Sequence, residues 1–231
     1  MIGIIGAMEV EVVSLCQALT EHTVERHSGT DFHIGKLEGR EVVIARCGIG
    51  KVAAAVTAEA MLLLYKPTLL LNTGVAGALS EGLSIGDLVI SSCAIEYDMD
   101  TSPLGDPVGL LSGINIIRLP AEEGAVSCLW GVIKKSGCAV RIGTVASGDR
   151  FVASSEEKAR ILSLFPDATV CEMEGAAIAH TAYLNDTPFV ILRAVSDTAD
   201  GHAECDYPTF VAQAARISAD AVMAFVRTYT A

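Results

Sequence analysis

The stretch VCEMEGAAIAH (170–180) sets two glutamates, Glu172 and Glu174, around a single methionine, between an apolar run and a string of small residues. A carboxylate buried without partners is costly, so a pair in such company needs either structural donors or a chemical task. Glu174 stands where a strand should hand over to a helix and is the better placed for ligand work. Glu172 is expected to point to the other side and to bond backbone or polar groups. Glu11, within GIIGAMEVEV (3–12), falls three residues after Met8 and so on the same helical face; a lone glutamate there is more commonly a solvent-facing helical one. RAVSDTAD (193–200) brings Arg193, Ser196 and Asp197 together at a strand end. That grouping suits a clamp for a polyol or a base with an acid beside it, or a surface pair with a Ser or Asx turn. CGIGK (47–51) lacks P-loop spacing, and its Gly-x-Gly turn could hold an anion or cap a helix.

These residues need a frame that brings distant segments together. Short apolar runs at 2–6, 68–74, 87–96, 139–146, 168–172 and 188–195 read as buried strands. Residues 31–36 and 41–47 read as a hairpin and 114–119 as a further strand. Helical periodicity covers 8–19, 52–65, 121–136, 155–164, 175–184 and about 208–228. Strands alternating with helices predict one α/β domain over 1–231, an α/β/α sandwich around a mixed, largely parallel sheet. In such sheets ligands bind beyond the carboxyl ends of the strands. That rule selects Met8–Glu11, Asn72–Gly77, Ser147–Phe151, Glu172–Gly175 and Arg193–Asp197. The Gly-, Pro- and Asp-rich stretch 97–113 reads as a functional loop.

Composition excludes several partners. A formal charge of -12 over 231 residues argues against nucleic acid and anionic membranes. The seven cysteines form no CxxC and sit mostly in apolar runs, as expected of reduced core thiols. The histidines lack metal-ligand spacing. No signal peptide is legible and no apolar stretch reads as long and uninterrupted enough to span a membrane, so a soluble cytoplasmic protein is expected.

Taken together, GIIGAMEVEV, GIGKVAAA, NTGVAGAL, SGDRF, CEMEGAAIAH and RAVSDTAD resemble the bacterial 5′-methylthioadenosine/S-adenosylhomocysteine nucleosidases of the nucleoside phosphorylase-like superfamily. The motifs follow family order over nearly the whole chain. The resemblance implies hydrolysis of the bond between adenine and a 5′-thio-substituted ribose, with neither metal nor organic cofactor. It implies that Asp197 protonates the leaving adenine and that Glu11 activates water. Glu174, with Met173 and Arg193, would hold the ribose hydroxyls. Phe151 would stack on adenine, the Val152 backbone would bond its edge, and Ser196 would position Asp197. Met8, Ile49 and Tyr207 would line the ribose and alkylthio pocket. A homodimer is implied, with residues of the 97–113 loop (Leu104, Pro107 and Val108 are the apolar candidates) reaching the neighbouring pocket.

Rival readings stay open at this point. A phosphorylase of the superfamily would hold phosphate with arginine and hydroxyl donors; here Asn72 and Val75 occupy those places, leaving a phosphate dianion poorly held. Val75 also departs from the serine common among the nucleosidases. A 6-amino-6-deoxyfutalosine nucleosidase would share most of these motifs, and a catalytically silent nucleoside-binding protein would share the fold.

Overall fold

The computed structural model describes residues 1–199 and 203–230, with the side chains of 203–206 outside the description. Its elements, in chain order, are β1 (Ile2–Gly6), α1 (Glu9–Gln17), β2 (Thr20–His27), β3 (Thr30–Leu37), β4 (Arg40–Arg46), α2 (Lys51–Tyr65) and β5 (Leu69–Ala78). Then follow β6 (Leu88–Glu96), β7 (Leu119–Pro120), α3 (Glu123–Ser136), β8 (Val140–Ser147), α4 (Ser155–Leu164), β9 (Ala168–Glu172), α5 (Gly175–Leu184), β10 (Phe189–Asp197) and α6 (Ala203–Thr228).

The apolar runs are strands because both faces of the sheet are covered. Leu69 and Leu71 of β5, and Val190 and Leu192 of β10, face a core closed by α1, α3 and α6. The alternate residues Leu70, Phe189 and Ile191 face a second core closed by α2 and α5. The result is the α/β/α arrangement with a mixed sheet. Antiparallel and parallel pairings are equally represented among the described strands. The β1–β4, β1–β5, β5–β10, β6–β8 and β8–β9 pairs are parallel. Since β10 pairs with both β5 and β6 while β9 joins β8 to β5, these five strands close on themselves.

Several boundaries differ from the sequence reading. β2, TEHTVERH, is an exposed edge strand without apolar alternation, so it carries no core signal. Residues 114–119 form no full strand. Gly113 and Asn115 both take positive φ, and the chain turns there, leaving a Leu111–Ile116 bridge and the short β7. Helix α6 begins at Ala203, with Pro208 inside it rather than at its start. Its Tyr207–Thr228 portion has the length and hydropathy of a membrane span, against the expectation from sequence. Yet Ala215, Ala219, Val222, Phe225 and Val226 are buried in the core beside the sheet, as for the core helix of a globular fold. The six described cysteines are free thiols, and Cys205 lies outside the described side chains.

Most useful to function, β5 and β10 run longer than the apolar patterns indicated. Asn72–Gly77 and Arg193–Asp197 therefore lie within paired strands rather than beyond them. Polar side chains on two adjacent, fully buried strands are fixed by the ladder itself.

Candidate active site

Strands β5 and β10 place Arg193 opposite Gly74 and Asp197 opposite Gly77. Gly74 is required by space: a Cβ there would fall on the Arg193 guanidinium and the Glu11 carboxylate. Glu11, in the first turn of α1, is buried. Its Oε2 accepts from the N–H groups of Ala7 (2.7 Å) and Met8 (2.9 Å), and its Oε1 from that of Val75 (3.0 Å). Burial raises its pKa, and Arg193 and the three N–H groups only partly oppose the rise. Such a carboxylate is disposed to take up a proton closer to neutrality than an exposed one.

Beneath the site lies Arg193, at 0% exposure. Its Nη2 donates to Asn72 Oδ1 at 2.5 Å and to Glu172, and Glu174 Oε2 stands 3.8 Å away. Asn72 is held in turn by Ile5, whose carbonyl accepts from Nδ2 at 2.8 Å. Burial would discharge the guanidinium, but Glu172, Glu11 and Glu174 outweigh it and raise its pKa. Nε and Nη1 have no hydrogen-bond partner among the described residues. Arg193 does not line the main cavity, contrary to the expectation of a direct ribose clamp. It supports the carboxylates from below through its charge and one hydrogen-bonded edge.

The two glutamates of the 170–180 stretch separate by partner, not by side. Residues two apart on a strand share a face, β9 ends at Glu172, and both glutamates line the cavity. The expected opposite orientation is therefore not found. Glu172 Oε2 also accepts from the N–H groups of Glu174 (3.1 Å) and Gly175 (2.7 Å). Ser147 donates to Glu172 Oε1, and its Oγ accepts from Ala176 N at 2.7 Å. Glu174 has one short bond, from the Gly50 N–H at 2.9 Å. Burial and then the Glu172 charge push its pKa up to about 7, against the pull of Arg193 and the Gly50 N–H. Glu172 is bonded on every side, whereas Glu174 has acceptor capacity to spare.

Asp197 closes the other end. Ser196 Oγ donates to its Oδ2 at 2.8 Å and the Ala199 N–H to its Oδ1 at 2.9 Å. A Cβ on Gly77 would lie 2.8 Å from Oδ1. Glu11 is tied to Val75 and Asp197 sits against Gly77, two residues along β5, which corresponds to roughly 7 Å. The two carboxylates thus meet β5 two residues apart.

Between them is a cavity of about 340 Å³, ample for a small ligand's reactive part. Met8, Ile49, Met173, Phe151 and Tyr207 contribute its apolar wall. Phe151 meets Tyr207 edge to face at 5.4 Å and 75°, and Tyr207 Oη lies 3.0 Å from Met8 Sδ. The Tyr207 phenol is pushed up to about 12 by burial and the nearby Glu11, Asp197 and Glu174, so it stays neutral. Val152 lines a smaller adjoining recess together with Phe151, Met173 and Asp197. Leu104, Pro107 and Val108 of the 97–113 loop line neither space.

A profile of the phosphorylase superfamily matches residues 1–231. A 5′-methylthioadenosine/S-adenosylhomocysteine nucleosidase of Staphylococcus haemolyticus is 37% identical over 227 residues, covering 98% of this chain and 99% of its own. The chain belongs to the 5′-methylthioadenosine/S-adenosylhomocysteine nucleosidase family. The Neisseria meningitidis nucleosidase, solved in complex with methylthio-immucillin-A, superposes with a TM-score of 0.96 at 36% identity, over 99% of both chains. The Helicobacter pylori futalosine hydrolase gives a TM-score of 0.94 at 30% identity, over 99% of this chain and 97% of its own.

Sequence reasoning missed the contributions made by backbone and by segments without an obvious motif. The CGIGK turn was expected to hold an anion or cap a helix, and only the chain course shows that its Gly50 N–H meets the Glu174 carboxylate. Ala76 and Gly77 lay in the selected Asn72–Gly77 stretch without an assigned role, and they line the cavity from within β5 rather than beyond it. Asp149 stood in the quoted SGDRF motif without a role. Among the described residues no group of three or more His, Cys, Asp or Glu is arranged to hold a metal ion.

Proposed function

We propose that the chain hydrolyses the N-glycosidic bond of 5′-methylthioadenosine and S-adenosylhomocysteine, and of 5′-deoxyadenosine, releasing adenine. The observation that carries this reading is the pair of buried carboxylates set two residues apart along β5, with a third between the cavity and Arg193. Asp197 delivers a proton to N7 of the purine as the C1′–N9 bond breaks and its electrons pass to the base. Glu11 accepts a proton from the water that attacks C1′. Glu174 accepts hydrogen bonds from the ribose hydroxyls, Met173 packs on the sugar, and Phe151 faces the base. Ser196 orients Asp197 through their 2.8 Å bond.

The charge logic supports these roles. Loss of adenine builds positive charge on the sugar, and a cavity floored by carboxylates stabilises it. Because Glu11 and Asp197 meet β5 at different residues, Val75 and Gly77, one can serve the water while the other serves the leaving group. Phosphate would meet a site whose buried arginine is already engaged by Glu172 and Asn72, with Val75 offering no hydroxyl. Adenine release from 5′-methylthioadenosine, followed with and without phosphate, tests the reading. Equal release in both is expected, and ribose-1-phosphate formation would replace it with a phosphorylase.

The likeness to the futalosine hydrolase favours one second reading, a nucleosidase acting on 6-amino-6-deoxyfutalosine. The same assay, run on a panel of 5′-substituted nucleosides, separates the two. The active form is a homodimer. Val52, Val56 and Leu63 leave an apolar stripe exposed along α2, and Leu184 on α5 and Leu104 on the 97–113 loop are also exposed, so a second copy of this chain has apolar surface to cover. Light scattering should give twice the chain mass.

A further inference from the structure

The loops after β4, β6 and β8 meet in a closed ring of hydrogen bonds. Lys51 Nζ donates to Asp98 Oδ1 at 2.6 Å. Asp98 Oδ2 accepts from the Asp149 N–H at 2.9 Å. Asp149 Oδ1 accepts from the Lys51 N–H at 2.7 Å, and the circuit returns to the residue where it began. Lys51 Nζ also donates to Glu96 Oε2 at 3.0 Å, and Glu96 Oε1 lies 3.1 Å from His180 Nδ1. Helix α2 has no side-chain cap from its own N-terminal segment. Asp149, 98 residues away, supplies an acceptor to its first N–H, where the helix dipole favours a negative charge.

The ring touches both halves of the site. One residue before Lys51, the Gly50 N–H donates to Glu174. Gly50 has φ 101°, a conformation natural to glycine, and a Cβ there would lie 3.0 Å from Asp149 Oδ1. Two residues after Asp149, Phe151 forms the cavity wall. The ribose side and the base side are carried by loops that have no shared strand end, and this ring bolts one to the other.

We propose that Lys51, Asp98 and Asp149 are positioning residues that set the Gly50 N–H against Glu174 and fix the loop of Phe151 relative to it. The proposal rests on the nucleosidase reading for its kinetic consequence and on the ring alone for its structural one. Asp98 uses both oxygens, so Asp98→Asn must lose one link. Asp149 uses one, so Asp149→Asn can keep its link while Asp149→Ala cannot.

The test compares wild type, Asp98→Asn, Asp149→Ala and Asp149→Asn. Steady-state hydrolysis of 5′-methylthioadenosine is measured alongside the melting temperature and the amide exchange of segments 47–51 and 147–152. Asp98→Asn and Asp149→Ala are expected to lose roughly 10- to 100-fold in kcat, as misplacement by a fraction of an ångström to 1 Å would cause. Asp149→Asn is expected to recover most of that loss. Exchange should rise in both segments together when the ring opens. Unchanged kcat in an active enzyme, or equal losses in all three variants, would overturn the proposal and leave the nucleosidase reading intact. If wild type releases no adenine, that reading falls, and the ring is judged by exchange: coordinated deprotection sustains it and unchanged protection at Gly50 overturns it.

Discussion

Replacing each glutamate of the 170–180 stretch by glutamine should separate stability from catalysis. Glu172 is the partner of an arginine with no solvent exposure, and it also accepts two backbone N–H groups and the Ser147 hydroxyl. In Glu172→Gln the amide oxygen can keep facing Arg193 and the backbone, with the new NH₂ turned to Ser147, so the chief loss is charge. Breaking a buried ion pair costs about 3–5 kcal/mol. Glu174 and Glu11 remain near Arg193, which should bring the cost to roughly 2–4 kcal/mol by the same rule. For a chain of this size that is a fall in Tm of roughly 4–16 °C. Turnover should survive, and because the Glu172 charge helps hold the Glu174 pKa near 7, the acidic limb of the rate profile should move to lower pH. Glu174→Gln does the reverse. Gly50 keeps an acceptor and Arg193 keeps Glu172, so Tm should not fall, and relative to wild type it should rise as pH approaches 7. Two charge-assisted bonds to ribose hydroxyls are weakened, at about 1.5–3 kcal/mol each, giving a loss of roughly 10²–10⁴ in kcat/KM. Calorimetry and adenine-release kinetics on both variants decide the matter. A stable but inactive Glu172→Gln, beside an unstable but active Glu174→Gln, would show the roles assigned the wrong way round.

Asp197→Asn should abolish turnover while nucleoside binding, followed by calorimetric titration, persists; substantial hydrolysis would remove Asp197 as the acid. Gly74→Ala forces a methyl group into Arg193 and Glu11, and overpacking of this kind should cost about 1–3 kcal/mol or more, visible in urea unfolding, together with loss of activity. The pH dependence has a definite sign. Glu174 is raised from 4.5 to about 7 in the fold, so the folded state binds the proton more tightly, and its stabilising contribution is present below pH 4.5 and lost as pH rises through about 7. Activity that needs the ionised carboxylate rises over the same window. Relative to wild type, Glu174→Gln should therefore become progressively more stable between pH 4.5 and 7; a constant difference would mean that Glu174 titrates normally.

Much of the molecule was legible in its sequence because its strands are buried on both faces. Continuous runs such as TLLL and FVIL can be little else between helical periods, and they located β5 and β10 along with the layers around them. The edge strand β2 was invisible for the opposite reason: its side chains face water and leave no apolar trace. Within the site, Glu174 stood out as a carboxylate among apolar and small residues and Glu11 and Asp197 by their places after apolar strands, while their catalytic roles were implied only by the family resemblance.

The division of labour among those carboxylates was decided by tertiary structure. Which glutamate is saturated depends on Arg193 and Ser147 arriving from other strands, and the expectation of opposite sides ignored the two-residue period that puts Glu172 and Glu174 on one face. Arg193 read as a ligand clamp but lies fully buried and outside the main cavity wall, since exposure belongs to the packed fold and not to a residue type. The Lys51–Asp98–Asp149 ring joins residues up to 98 positions apart. Sequence fixes which groups can donate, accept or ionise, because that is covalent chemistry. Their distances, burial and mutual charges, which set what those groups do, arise only when β5 and β10 align and the loops after β4, β6 and β8 close over them.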